Sequence, residues 1–444
     1  MNDPLWLAST SPWAWAGRGL LGLAILLGLA WLISENRRQI PWRLVAGGVL
    51  LQLLLAVLVL RVPGFRDAFQ WFAGLVIRLL DHGSAGARFL FGPLAEDGGG
   101  GLGYIFAVQV LPTIIFFSAL SSLLFYLGVV QKIVGAMAWV MQRSMRLSGV
   151  ESLGAAANVF VGQTEAPLLL RPYLKGMNRS EIMTLMTGGM ATIAGGVLVA
   201  YIGMLGGGDP EARQAFATAL MCASLMSAPA AVVMAKIMVP GPPRPVDSER
   251  PHIPRTEAGI NALDAIVRGT SQGLLLAVNV GAVLIVFVAL VALLNDGLGQ
   301  AGAATGLDAL VERLSGGTFD RLSLEALFGF LFAPLAWIIG VPAGDLLQAG
   351  RLLGEKTVLN EFVAYASLAE LSAAGELQPR TVTLATYALC GFANFASVGI
   401  QIGGISVICR SQRANLCTLG LRALVGGTLA CLMTAAIVGL LQAA

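Results

Sequence analysis

The stretch Asn158-Val-Phe-Val-Gly162-Gln163-Thr164-Glu165-Ala-Pro167 sets a carboxylate, two amides, a hydroxyl, a glycine and a proline inside apolar sequence. It follows Gly154-Ala-Ala-Ala and precedes a basic segment with Arg171, Lys175 and Arg179. So polar a segment is no plain span. Two short helices meeting at Gly162 would make a re-entrant hairpin, whose exposed backbone is tolerated at membrane depth only where it lines a cavity. The next apolar run holds Gly188-Gly189, Thr192-Ile193 and Gly195-Gly196, a span seeded with glycines and a hydroxyl near its middle.

Lipid as the solvent follows from composition. Of 444 residues 56% are hydrophobic and 12% charged, with 55 glycines, and the mean hydropathy is +0.78. Soluble domains carry about 25% charged residues, and glycine suits close helix packing in membranes. Crossing a bilayer takes about 20 apolar residues. Runs of that kind lie at 17–33, 44–60, 104–130, 182–205, 215–239, 273–294, 382–408 and 419–441. The run 324–341 is short and contains Pro334, so an interfacial or re-entrant helix competes with a span there. The first run lacks a basic leader and a cleavage site, and reads as a retained helix. Segments 66–80 and 132–145 are amphipathic and carry Trp71 and Trp139, which suits helices lying along the interface.

Basic residues set the orientation. Arg37, Arg38 and Arg43 follow the first span; Arg171, Lys175 and Arg179 precede the fourth. Lys236, Arg244, Arg250 and Arg255 follow the fifth, and Arg410 and Arg413 the seventh. Eight spans with both termini outside bring all of these to the cytoplasmic face, leaving Glu96-Asp97 and Asp209/Glu211 outside. Residues 1–65 then form the N-terminal helices, and 66–239 a first half with its hairpin near 148–175 and its broken span near 182–205. A Pro-rich cytoplasmic loop, 240–258, leads to a second half, 259–444.

That half repeats the scheme. Gly354-Glu355-Lys356-Thr-Val-Leu-Asn360-Glu361-Phe-Val-Ala-Tyr365 breaks a helix near 343–370. Gly391-Phe392-Ala-Asn394-Phe-Ala-Ser397-Val-Gly399 then interrupts the span 382–408. An odd number of spans separates the hairpins, so they enter from opposite sides. An all-α integral membrane protein with about eight transmembrane helices, two opposed re-entrant hairpins, an inverted repeat and interfacial helices is expected, the architecture of a transporter.

A carboxylate at mid-membrane costs at least about 2.5 kcal/mol and persists where it meets water, ions or a partner. Glu165 and Glu361 each have amides and hydroxyls nearby, from Gln163, Thr164, Asn158, Thr192, Asn360, Asn394 and Ser397, a set that can hold a polar solute. Asn158, Thr192 and carbonyls of a broken helix form a hard-oxygen set for an alkali cation. Each also has an ordinary reading: Glu165 as a loop acid, Glu355 as half of an interfacial pair with Lys356, and Thr192, Asn394 and Ser397 as interhelical glue. Gly403-Gly404 and Gly426-Gly427 read as packing positions, and Gly98–Gly101 as an external linker.

Gly162-Gln-Thr-Glu-Ala-Pro-Leu-Leu-Leu-Arg-Pro172, Gly354 to Tyr365 and Gly391 to Ile400 resemble the concentrative nucleoside transporters, over nearly the whole chain from Arg66. The resemblance implies a homotrimer in the plasma membrane (a bacterial inner membrane) that carries nucleosides such as uridine or adenosine inward by alternating access. Na+ is the implied coupling ion, as the Gln-Thr-Glu-Ala-Pro form is similar to sodium-driven members; a proton-coupled symporter and a carrier of another polar solute are the alternatives. It further implies that Gln163, Thr164 and Glu165 contact the base, that Glu361, Asn394 and Ser397 hold the ribose, and that Phe392 and Val197 line the pocket. Asn158 and Thr192 side chains with Val161 and Ile193 carbonyls would ligate sodium, Thr192 standing where a serine is expected.

Other classes fit less well. Two histidines, His82 and His252, and five isolated cysteines, expected to be buried and inert, offer no metal cluster or nucleophile–base pair, so a membrane enzyme lacks its agents. A net charge of +3 without a basic patch points away from nucleic acid. A channel would want repeated pore-lining rings, whereas the two polar stretches build one asymmetric site.

Overall fold

The structure is a computed structural model that describes residues 12–96, 105–241 and 259–442. The Gly98–Gly101 linker, Asp97, His252, most of the Pro-rich loop with Arg244, Arg250 and Arg255, and the chain ends lie outside the described residues. Among the described residues every regular element is helical. The chain begins with α1 (Pro12–Leu32), α2 (Trp42–Arg61) and α3 (Pro63–Phe91), Pro63 opening α3 where a missing N–H costs nothing. Then come α4 (Phe106–Gln109), α5 (Leu111–Tyr126) and α6 (Val129–Met145).

The first polar stretch is α7 (Gly149–Phe160), a turn, α8 (Ala166–Leu169) and α9 (Arg171–Leu174). Gly162 makes that turn at φ +89°, with Ala194 packed so closely that a Cβ would lie 2.8 Å from Ala194 Cβ. The following span is α10 (Arg179–Ala191) and α11 (Gly195–Gly206), broken at Thr192, and α12 (Pro210–Met238) completes this half. The second half runs through α13 (Ala262–Thr305), α14 (Leu307–Ser315) and α15 (Leu324–Ile338). It continues with α16 (Leu346–Val358) and α17 (Glu361–Ala373), the broken pair α18 (Pro379–Leu389) and α19 (Phe395–Ile408), and α20 (Arg413–Gln442).

Among the described residues seven helical stretches are long and apolar enough to cross a membrane: 15–32, 42–61, 106–126, 179–206, 210–238, 262–305 and 410–442. The expected run 382–408 is not among them: residues 390–394 separate its helices of 11 and 14 residues, a longer interruption than 192–194 within 179–206. The 15-residue α15, with Pro334 inside, is likewise too short and packs along α16. At 1.5 Å per residue the 44-residue α13 is about 66 Å long, far more than the expected 273–294. Both amphipathic segments are helical, and Trp71 and Trp139 point outward.

The basic segments gather at one end of the molecule. Glu35, just after α1, accepts from Arg179 at 2.7 and 3.2 Å and lies 3.6 Å from Arg422. Gln412 donates to the carbonyls of Leu174 and Met177 at 2.9 Å. Lys236 departs from its expected loop role: it is buried in α12, ion-paired with Glu151 and 3.0 Å from Ser180 Oγ. Two of the five cysteines also differ from expectation, Cys409 being half-buried and Cys417 exposed. Gly426 and Gly427 pack closely against Thr187 and Met190, whereas Gly403 and Gly404 face open space.

Candidate functional site

The two helix breaks meet at the centre. Gly391, at φ +153°, packs against the backbone of Met190 and Ala191, where a Cβ would lie 2.7 Å from Ala191 O. Cys431 Sγ lies beneath, 3.2 Å from Cys390 O. Helix ends leave backbone N–H and C=O groups without intrahelical partners, and the sequence supplies caps. Asn360 Oδ1 accepts from Val363 N at 3.0 Å, and Asn394 Oδ1 from Ser397 N at 2.8 Å.

Capping fixes the rotamer of Asn394, and its Nδ2 then donates to Glu361 Oε2 at 2.7 Å. The other carboxylate oxygen, Oε1, accepts from Tyr201 OH at 3.2 Å. Glu361, Asn394 and Tyr201 are all buried. Tyr201 is held by rings of α17: its centroid is 5.0 Å from Phe362 and 4.3 Å from Tyr365, while Tyr365 OH donates to Thr386 O at 2.8 Å. Lys356 donates to Ala388 O at 2.8 Å, at the C-terminal end of α18, where a cation suits the helix dipole. Glu355 is buried and pairs with Arg351 at 2.7 Å.

The first polar stretch reaches the same place. Gln163 Nε2 donates to Ser397 Oγ at 3.1 Å, and Gln163 Oε1 accepts from Gln401 Nε2 at 3.0 Å. Gln163, Ser397, Asn394 and Glu361 thus come together across the halves. Thr164 and Glu165 are exposed at the tip, and Glu165, Val161 and Val197 line a cavity of about 380 Å³ beside it. Phe392 is buried in the second break. Glu361, Asn394 and Ser397 do not line that cavity, so it flanks the carboxylate–amide cluster without containing it.

Asn158 and Thr192 are both fully buried. Thr192 Oγ1 lies 3.0 Å from Asn158 O and 2.8 Å from Gly188 O, so one proton serves two carbonyls and its lone pairs face elsewhere. Asn158 Nδ2 donates to Leu185 O at 3.3 Å, but Asn158 Oδ1 has no hydrogen-bond partner. An acceptor left unmatched in the interior costs about 1–3 kcal/mol. Together with the Thr192 hydroxyl and the neighbouring Val161 and Ile193 carbonyls, this oxygen fits a hard monovalent cation. Among the described residues no cluster of His, Cys, Asp or Glu competes as a metal site.

Tyr201 and Gln401 were not singled out by the sequence reading. Tyr201 lies four residues after Val197 and Gln401 four after Ser397, one helical turn along the same faces. That spacing was the available signal.

Three family descriptions match the chain: the Na+ dependent nucleoside transporter N-terminus over residues 21–94, nucleoside recognition over 107–208, and the Na+ dependent nucleoside transporter C-terminus over 219–439. The chain is 42% identical to an uncharacterized transporter of Haemophilus influenzae, across 95% of this chain and 96% of that one. It is 38% identical to the nucleoside permease NupC of Helicobacter pylori, with 95% and 96% covered. Against the human solute carrier family 28 member 3 it is 38% identical over 95% of this chain and 59% of the longer relative. The solved structure of CNTnw in an inward-facing substrate-bound state superposes with a TM-score of 0.86 at 39% identity, covering 96% of this chain and 97% of that one. A CNTnw variant in an outward-facing state gives 0.87 at 39% identity, covering 97% and 99%. These agreements span both halves and the cluster between them, and the chain belongs to the Na+ dependent nucleoside transporter family, as an all-α membrane transporter and not an enzyme.

Proposed function

We propose that this chain imports nucleosides, with uridine and adenosine as candidate substrates, by symport with sodium through alternating access. The observation that carries the reading is the buried Glu361 carboxylate, held by Asn394 and Tyr201 and adjoining Ser397, to which Gln163 donates from the other half. A buried carboxylate accepts well from a sugar's vicinal hydroxyls, and an amide or acid at the first tip reads a base edge. Glu361, Asn394 and Ser397 therefore take the ribose, Gln163, Thr164 and Glu165 the base, and Phe392 and Val197 the apolar walls.

Sodium is co-substrate at Asn158, Thr192 and the carbonyls of Val161 and Ile193, where the unmatched Asn158 Oδ1 supports the assignment. Binding there orders the turn at Gly162 and so orients Gln163, Thr164 and Glu165. The loaded unit then moves against a fixed scaffold, driven by the difference in ion binding between states. The two polar stretches act as opposed re-entrant hairpins of an inverted repeat, in a bacterial inner membrane, with both chain ends outside. Assembly as a homotrimer is supported by the outward apolar surface of α13, where Leu275, Ile285, Val286 and Leu293 are exposed. Uptake of labelled uridine into proteoliposomes, with sodium or choline outside at fixed pH, tests the reading. Equal uptake in choline would replace sodium by the proton.

A further inference from the structure

We propose that the cavity between Glu165 and the α5–α13 pair is a release subsite, which receives the hydroxyls of a departing nucleoside before it reaches the cytoplasm. The inference rests on the transporter reading and concerns residues outside the carboxylate–amide cluster. Ser118, Ser121 and Ser122 on α5, and Arg268 and Gln272 on α13, face Glu165 across the 380 Å³ void. Ligand sites occupy roughly 300–1,000 Å³.

The stretch 106–126 and α13 are each long and apolar enough to span. Polar side chains on a spanning helix are stabilised where they meet water or a ligand, and here five line one void. Their position on the helices gives the side. Ser118 to Ser122 lie in the last part of α5, which enters the basic end when both termini are outside; Arg268 and Gln272 lie near the start of α13, which leaves it.

The α5–α13 wall is rigid. A Cβ at Gly269 would lie 2.6 Å from Ser122 Cβ, and one at Gly273 2.7 Å from Ser118 Cβ, so the helices touch without side chains between them. Ser122 Oγ also donates to Ala265 O at 2.7 Å. The facing wall is built from the first turn and from residues 194–197 at the start of α11, the parts expected to move. Arg268 already pairs with Asp264 at 3.0 Å, which removes the attraction for an anion. Hydroxyls and a carboxamide remain, groups that suit a neutral polyol such as ribose. Contacts made only in transit alter turnover more than equilibrium affinity.

The test compares Gln272→Ala and the double variant Ser118→Ala/Ser121→Ala with the wild-type full chain. Uridine binding is measured by equilibrium dialysis in detergent with sodium, and uptake at saturating uridine in proteoliposomes. The expected result is a Kd within about twofold of wild type, with turnover falling about fivefold or more, the worth of one neutral hydrogen bond. Ser121→Thr, which keeps the hydroxyl, should restore most of the rate. Unchanged turnover in both alanine variants overturns the subsite, as does a Kd that weakens in step with turnover. Wild-type protein that fails to accumulate uridine overturns the transporter reading itself.

Discussion

Asn394 Nδ2 donates to Glu361 Oε2 at 2.7 Å, from a side chain whose Oδ1 already caps α19 through Ser397 N. One amide therefore ties the carboxylate to a helix start, so the orientation of Glu361 depends on the break in the second broken pair. Tyr201, from the first half, holds the other oxygen.

Replacing Glu361 by Gln keeps the shape but removes the charge. Hydrogen bonds to charged groups contribute about 1.5–3 kcal/mol, so kcat/KM for uridine should fall about 10–150-fold. Tyr201→Phe keeps the carboxylate and its charge and removes one long bond that orients it, so it should cost less, about fivefold. Initial-rate uptake separates the two; equal effects would contradict the division of roles.

Asn158→Ala removes the one oxygen at the cation site that lacks a protein partner. The sodium concentration giving half-maximal uptake should rise about tenfold, while the uridine KM at saturating sodium stays within about twofold. A shift in KM alone would place Asn158 with the nucleoside.

Lys236 and Glu151 pair in the protein interior, at 8% and 6% exposure. Removing one partner strands the other charge at a cost of about 3–5 kcal/mol. Lys236→Met should therefore lower the Tm in detergent markedly, and Glu151→Gln in the same chain should recover much of the loss. No recovery in the double variant would mean that the two charges are not coupled.

Glu35 lies between α1 and α2, outside the spans. The hydrogen bond from Arg179, against a smaller opposing effect of burial, holds its carboxyl below the ordinary value of 4.5. A depressed folded-state pKa contributes stability above the unfolded value and loses it as pH falls through the folded one. The pair is partly solvated, so its worth is at most about 1 kcal/mol. The Tm difference between wild type and Glu35→Gln should be small at pH 7 and shrink as pH falls below the ordinary carboxyl value of 4.5. A difference that grows on acidification would reverse the sign of this linkage.

Much of this arrangement was legible in the sequence, because carboxylates, amides and glycines inside apolar runs have few other uses. The helix breaks at Gly162, Thr192, Asn360 and Gly391–Asn394 fell where polar residues interrupt the apolar pattern. The job of each amide did not. Asn360 and Asn394 use the same carbonyl group for capping that could serve a ligand, and only placement tells the two apart. Lys236 read as loop charge because its partner Glu151 is remote in sequence. The length of α13 was underestimated because the polar residues at its ends do not disturb helical periodicity.

The central claim is that Glu361 grips the nucleoside in a sodium-driven carrier. Its most direct test is accumulation of labelled uridine in proteoliposomes holding wild type or Glu361→Gln, with an inward gradient of sodium or of choline at one pH. Accumulation by wild type in sodium alone, and accumulation at least about tenfold slower by the variant, is the predicted result. Near-normal uridine accumulation by Glu361→Gln in sodium would contradict it.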